Sequence, residues 1–178
     1  MHDEDFARRA AAIRWLLCDV DGVLTDGRLT YGSRGEQVKR FHVRDGLAFK
    51  LAQRAGLQVG LLSSRGNAAV ERRAAELGLN EVLLSRADKA QALAGFLDRH
   101  QVKAEEIAYV GDDLPDLPVL LACGLSFCPA DAVNEVRQRV RVVLATPGGH
   151  GAVRELVEQL LSARGQWAEI AGSFLPES

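Results

Sequence analysis

Cysteine is scarce in this chain, and the three residues present, Cys18, Cys123 and Cys128, form neither a Cys-x-x-Cys pair nor a cluster with histidine. An odd count without a dense framework argues against a disulfide-stapled secreted domain and fits a reducing compartment. An excess of one charge is missing too. The net charge is −2 with acids and bases interleaved, so no element offers the basic footprint of a nucleic-acid binder. Long apolar runs are absent: none approaches the roughly 20 residues of a membrane span, and Met1 to Arg14 holds no stretch long enough for a signal peptide. The expected location is the cytoplasm, with neither nucleic acid nor membrane as partner. Repeats, low-complexity tracts and dividing linkers are also wanting, and 178 residues suffice for one core. A single domain over 1–178 is the expectation.

What is present is an alternation of short apolar runs with longer amphipathic segments. Strands are predicted at 13–19, 58–62, 81–84, 107–110, 125–127 and 140–144. Helices are predicted at 46–54, 68–77, 89–100, 117–122, 132–139 and 151–163. In the segment 89–100, Ala90, Leu93, Ala94 and Leu97 recur at helical spacing and place one apolar stripe on the core. Gly56, Gly78 and Gly124 stand where helices should stop. Strands alternating with helices imply an α/β fold, a Rossmann-like three-layer sandwich with a mostly parallel central sheet. Two segments depart from the alternation. Residues 28–43 hold two β-like stretches around Gly32-Ser33-Arg34-Gly35 and predict an inserted hairpin. Residues 166–178 lack periodicity and predict a mobile or partner-dependent tail.

In a parallel sheet ligands bind beyond the carboxyl ends of the strands, and chemistry gathers there. Asp19 and Asp21 follow the first strand, with Gly22 free to curl the chain so that both carboxylates meet. Ser63, Ser64 and Arg65 follow the second, offering hydroxyls and a guanidinium to phosphate oxygens. Lys89 opens a later helix and supplies a cation. After the 107–110 strand come Asp112, Asp113 and Asp116, which can complete an oxygen-ligand site for a hard metal. Taken singly, each has an ordinary explanation: a loop acid, a helix cap, a solvated lysine, a turn. Their joint order, with three groups directly after strands, points to a site.

The stretches DVDGVLTDG, LLSSRG, DKAQAL and YVGDDLPDLPVL resemble the four ordered motifs of the haloacid dehalogenase-like phosphohydrolases, over nearly the whole chain. YGSRGEQVKRFHVRDG and PGGHGAVRELVEQLLSARGQW narrow the resemblance to its small members without a cap domain, those that hydrolyse 3-deoxy-D-manno-octulosonate 8-phosphate in lipopolysaccharide precursor synthesis. The resemblance implies Asp19 as nucleophile, forming an aspartyl-phosphate, and Asp21 as the acid and then base. It implies Mg²⁺ held by Asp19, the main-chain carbonyl of Asp21 and Asp112. Ser63 and Lys89 would bind the phosphoryl oxygens, Arg65 would meet the substrate's carboxylate, and Asp113 and Asp116 would orient the lysine or the metal's waters. It also implies a homotetramer in which a neighbour's hairpin and tail close each site. Three positions depart from the usual pattern: Ser64 stands where glycine is common, His150 where arginine is frequent, and no His-Pro follows Ala130-Asp131-Ala132. Two other readings stay open at this point: a phosphatase of a related nine-carbon keto-sugar acid phosphate, and a non-catalytic phospho-acceptor similar to a response-regulator receiver.

Overall fold

The computed structural model describes residues 2–33 and 37–176. Its strands, in chain order, are β1 (Trp15–Cys18), β2 (Thr30–Tyr31), β3 (Gln37–Val38), β4 (Gln58–Leu62), β5 (Glu81–Leu83), β6 (Ile107–Val110), β7 (Leu125–Cys128) and β8 (Val142–Val143). Its α-helices are α1 (His2–Ala12), α2 (Val43–Arg54), α3 (Ala68–Leu77), α4 (Lys89–His100), α5 (Leu117–Ala122), α6 (Asn134–Arg137), α7 (Ala152–Ala163) and α8 (Trp167–Gly172).

Six strands form one sheet in the order β5-β4-β1-β6-β7-β8, with every pairing parallel. Cys18, the last residue of β1, lies opposite Leu61 on one side and Val110 on the other. Side chains alternate along each strand, and the register stacks like with like. Leu16, Cys18, Val59, Leu61, Ala108 and Val110 join the core under α1, α2, α3, α7 and α8. Trp15, Leu17, Leu62, Ile107 and Tyr109 join the core under α4, α5 and α6. Both faces are covered, which is why β1 and β6 read as unbroken apolar runs rather than as alternating ones.

The helix ends follow their caps. Asn67 and Asp88 accept from backbone N–H groups at the starts of α3 and α4. Gly78 closes α3 in the left-handed conformation at φ +60°.

Three expectations need correction. The sequence reading assigns nothing to the amino terminus, yet α1 forms there, with Ala10 buried and Phe6 set edge-on to Phe127 at 6.2 Å. Helix α2 begins at Val43 rather than 46, because the Nδ1 atom of His42 accepts the Arg44 N–H and caps the helix early. The tail is ordered through α8: Ile170 is buried, Trp167 packs on the core, and the Arg154 guanidinium lies 5.2 Å from the Trp167 ring centroid. Beyond it the large apolar side chains of Phe174 and Leu175 are exposed. The hairpin is present as antiparallel β2 and β3, with Thr30 opposite Val38 and Tyr31 opposite Gln37. Of its expected turn, Arg34 and Gly35 lie outside the described residues.

Candidate active site

Strand β1 is flanked by β4 and β6, so what leaves its carboxyl end emerges near the middle of the sheet edge. Asp19 prolongs the ladder by one residue, donating its N–H to the Val110 carbonyl at 3.0 Å. The chain then curls, and the N–H groups of Val23, Leu24 and Thr25 all donate to the Val20 carbonyl. Gly22 sits at φ +86°, and a β-carbon there would lie 2.0 Å from Asp112 Oδ2. Glycine is required on both counts: the loop after β1 and the acid after β6 come into contact. A third loop rests on the back of the first. A β-carbon on Gly148 would lie 1.8 Å from the Gly22 carbonyl oxygen, and Gly149 donates to Val23 at 2.9 Å.

Lys89, the first residue of α4, is almost wholly buried. Its Nζ lies 2.9 Å from Asp19 Oδ1, 2.6 Å from Asp116 Oδ1 and 3.3 Å from the Tyr109 hydroxyl. Burial pulls its pKa down, but Asp19 and then Asp116 outweigh that, and the net shift is upward. Lys89 is therefore a fixed ammonium. Asp116 is saturated by its own chain. Its Oδ1 accepts from Lys89 and from the Tyr109 hydroxyl at 2.5 Å, and its Oδ2 accepts the N–H groups of Asp112 at 3.0 Å and Asp113 at 3.2 Å. Asp113 is exposed and caps the short turn that follows, accepting the Leu114 N–H at 2.7 Å.

Carboxylate oxygens of Asp19, Asp112 and Asp116 lie within 4.8 Å of one another. Since Asp116 has no oxygen to spare, Asp19 and Asp112 are the acids open to a cation. Burial, then the Asp116 charge, push Asp19 up to about 7 despite Lys89. Burial, then Asp19 and Asp116, push Asp112 up to about 8. Two all-oxygen donors that resist ionising together fit a hard divalent ion such as magnesium.

The other pole is built by β4. Ser63 extends that strand by donating its N–H to Leu83, and its Oγ accepts the Arg65 N–H at 3.3 Å. Asp19, Asp21, Ser63, Arg65, Lys89, Asp112, Asp113 and Asp116 line one pocket of about 340 Å³, together with Ser64. Every residue singled out from the sequence is in it. Sequence reasoning passes over two others. Tyr109 reads as core, and nothing local announces that its hydroxyl reaches Asp116. Lys39 reads as a solvated charge on the hairpin, yet its ammonium pairs with Asp21.

A family model described as haloacid dehalogenase-like hydrolase matches residues 76–156. The chain is 46% identical over 154 residues to the 3-deoxy-D-manno-octulosonate 8-phosphate phosphatase KdsC of Haemophilus influenzae, covering 86% of each. It superposes with a TM-score of 0.93, at 32% identity, on the 3-deoxy-D-manno-octulosonate 8-phosphate phosphatase of Moraxella catarrhalis solved with magnesium, phosphate and KDO, covering 97% of this chain and 99% of that one. A cobalt-bound form of the deoxy-D-mannose-octulosonate 8-phosphate phosphatase from Haemophilus influenzae gives a TM-score of 0.86 at 44% identity, covering 90% of this chain and 94% of that one.

Proposed function

Since the chain belongs to the haloacid dehalogenase-like hydrolases, among the 3-deoxy-D-manno-octulosonate 8-phosphate phosphatases, we infer that it hydrolyses that phosphomonoester to the free sugar acid and phosphate in lipopolysaccharide precursor synthesis. The observation that carries this reading is the meeting of Asp19, Asp21, Ser63, Lys89 and Asp112 in one pocket beyond the strand ends.

In the proposed mechanism an Asp19 oxygen attacks phosphorus while the bond to the sugar oxygen breaks, and Asp21 protonates the departing oxygen. Asp21, now a carboxylate, takes a proton from water, which attacks the aspartyl-phosphate and releases phosphate with Asp19 restored. Lys89 is held by two carboxylates, so beside the Ser63 hydroxyl it presents a fixed positive charge to the phosphoryl oxygens. Asp19, the Asp21 carbonyl and Asp112 would hold magnesium, which would supply the positive charge that lets a carboxylate approach a phosphate. Asp116 holds Lys89 in place, and Asp113 would orient the metal's waters. Arg65 pairs with the substrate's carboxylate in two-point fashion.

We take 1–178 as a single domain that works in the cytoplasm as a homotetramer. Exposed Tyr31 and Val38 on the hairpin and exposed Phe174 and Leu175 in the tail support that reading, as surfaces with which neighbours close the open pocket.

The test is phosphate release from a panel of sugar phosphates, nine-carbon acids included, with and without Mg²⁺ and with Asp19→Asn as control. Metal-dependent release from 3-deoxy-D-manno-octulosonate 8-phosphate, abolished by the substitution, supports mechanism and substrate together. Release from other sugar phosphates alone keeps the mechanism and discards the substrate. No release at all overturns both.

A further inference from the structure

The hairpin reaches back into the site of its own subunit. Its returning strand alternates: Gln37 and Lys39 are half-buried while Val38 and Arg40 are exposed, so 37 and 39 share the inward face. Each makes one anchoring contact. The Asn67 side-chain amide donates to Gln37 Oε1 at 3.0 Å, and Asn67 is also the cap of α3, on the loop that carries Ser63 to Arg65. Two residues on, the Lys39 ammonium bonds Asp21 Oδ1, with the lysine side chain only 2% exposed.

A lysine is almost never buried to this extent without a dedicated partner, and among the described residues Asp21 is the one acid that Lys39 meets. Asp21 stands in the loop after β1, and among the described residues Lys39 is the one side chain that its carboxyl group bonds. A proton-transferring group must sit within hydrogen-bond reach of the atom it serves, and misplacement of about 1 Å costs about 100-fold in rate. Lys39 is not among the residues lining the pocket, and its recorded contact with the site is through Asp21.

We propose that Lys39 is a positioning residue for the reaction: anchored through Gln37 and Asn67, it holds the Asp21 carboxyl group by Oδ1 and leaves Oδ2 to carry the proton toward the leaving oxygen. The inserted hairpin thereby serves its own subunit's chemistry as well as facing its neighbours. The inference rests on the acid–base reading of Asp21 given above.

The test compares wild type, Lys39→Met, Lys39→Arg, Asp21→Asn and the Lys39→Met/Asp21→Asn double variant, each as the full chain at saturating Mg²⁺. The expected result for Lys39→Met is a fall in kcat of about 10- to 100-fold, a KM within about threefold of wild type and partial recovery in Lys39→Arg; the double variant should be no slower than Asp21→Asn alone, because Lys39 acts through Asp21. Single-turnover formation of the aspartyl-phosphate adds a readout that a folding defect would not mimic. Lys39→Met should slow it from the sugar phosphate, whose alkoxide needs a proton, and not from p-nitrophenyl phosphate, whose phenolate does not. Should Lys39→Met be unstable, Lys39→Gln carries the same expectations.

An unchanged kcat, a raised KM with kcat intact, equal slowing for both leaving groups, or multiplicative losses in the double variant would each overturn the proposal. If Asp21→Asn alone leaves kcat unchanged, the acid–base reading fails and takes the proposal with it. That outcome is distinct from a full effect of Asp21→Asn with none from Lys39.

Discussion

Asp116→Asn should unfold this protein far more readily than its conservative appearance suggests. The carboxylate is 1% exposed and receives four donors, two on each oxygen. Asparagine keeps one acceptor oxygen and turns the other into a donor. With its oxygen toward Lys89 and Tyr109, its amide faces the N–H groups of Asp112 and Asp113. With the amide the other way round, it faces the Lys89 ammonium. Either way two donors lose their acceptor in a site without solvent, and hydrogen bonds to charged groups are worth about 1.5–3 kcal/mol each. Breaking a buried ion pair from one side costs about 3–5 kcal/mol. Lys89 retains Asp19 at 2.9 Å, so the lower end, about 3 kcal/mol, is the expectation. With a urea slope of roughly 2 kcal/mol per molar, the midpoint should fall by roughly 1.5 M. The assay is equilibrium urea unfolding followed by circular dichroism, for Asp116→Asn, Lys89→Met and both together. The two losses should couple strongly, because each variant strands the other's partner. A midpoint shift below about 0.5 M for Asp116→Asn, or simple additivity, would refute the description of these residues as one buried network.

Gly22→Ala should act at a distance on the metal. The positive φ alone costs about 1–2 kcal/mol, and the new methyl would displace Asp112, so the Mg²⁺ concentration for half-maximal activity should rise at least about tenfold. An unchanged Mg²⁺ dependence would mean that Asp112 moves aside without consequence. Acid should loosen α1 from the sheet. Hydrogen bonds from Arg8 and then Arg9, with the Arg141 charge beside them, lower Asp5 from 3.8 to about 2. Between those values the unfolded chain binds the proton and the folded one does not, so this contribution is complete above about pH 4 and is lost as pH falls through 2. Thermal midpoints from pH 5 to pH 2 should fall less steeply for Asp5→Asn than for wild type; parallel curves would exclude Asp5 as a contributor.

The sequence was legible where structure is local. Residues 58–62, 107–110, 68–77, 89–100 and 117–122 fold as predicted to the residue, each being an apolar run or stripe bounded by a cap or a stop that one side chain or one glycine can provide. Helix α1 carries Phe6 as its one large apolar anchor among alanines and arginines, and α8 spans only six residues, too short for a period to register. His42 is an uncommon cap, so α2 starts earlier than its apolar pattern suggests. The candidate site divides the same way. Asp19 with Asp21, and Asp112 with Asp116, are short-range signals placed by strand ends. Lys39 and Tyr109 meet their acids through a hairpin that doubles back and through a strand's inward face, and no local spacing encodes either contact.

Charge explains why this arrangement suits an anionic substrate in a chain whose net charge is −2. Asp19, Asp112 and Asp116 surround the ammonium of Lys89, which leaves two negative charges among them when all three are ionised, while Asp21 is bonded by Lys39. Left alone, the site resists that charge, and the raised pKa values of Asp19 and Asp112 express the resistance. One divalent cation cancels the surplus, and a monovalent one would not. With the surplus cancelled, the proposed phosphate site at the Ser63 hydroxyl and the Lys89 ammonium has no net repulsion behind it. The acid-rich composition of the pocket fits the proposed Asp19 nucleophile, and Lys39, kept apart on the hairpin, adds its charge where it meets Asp21 and not Asp19.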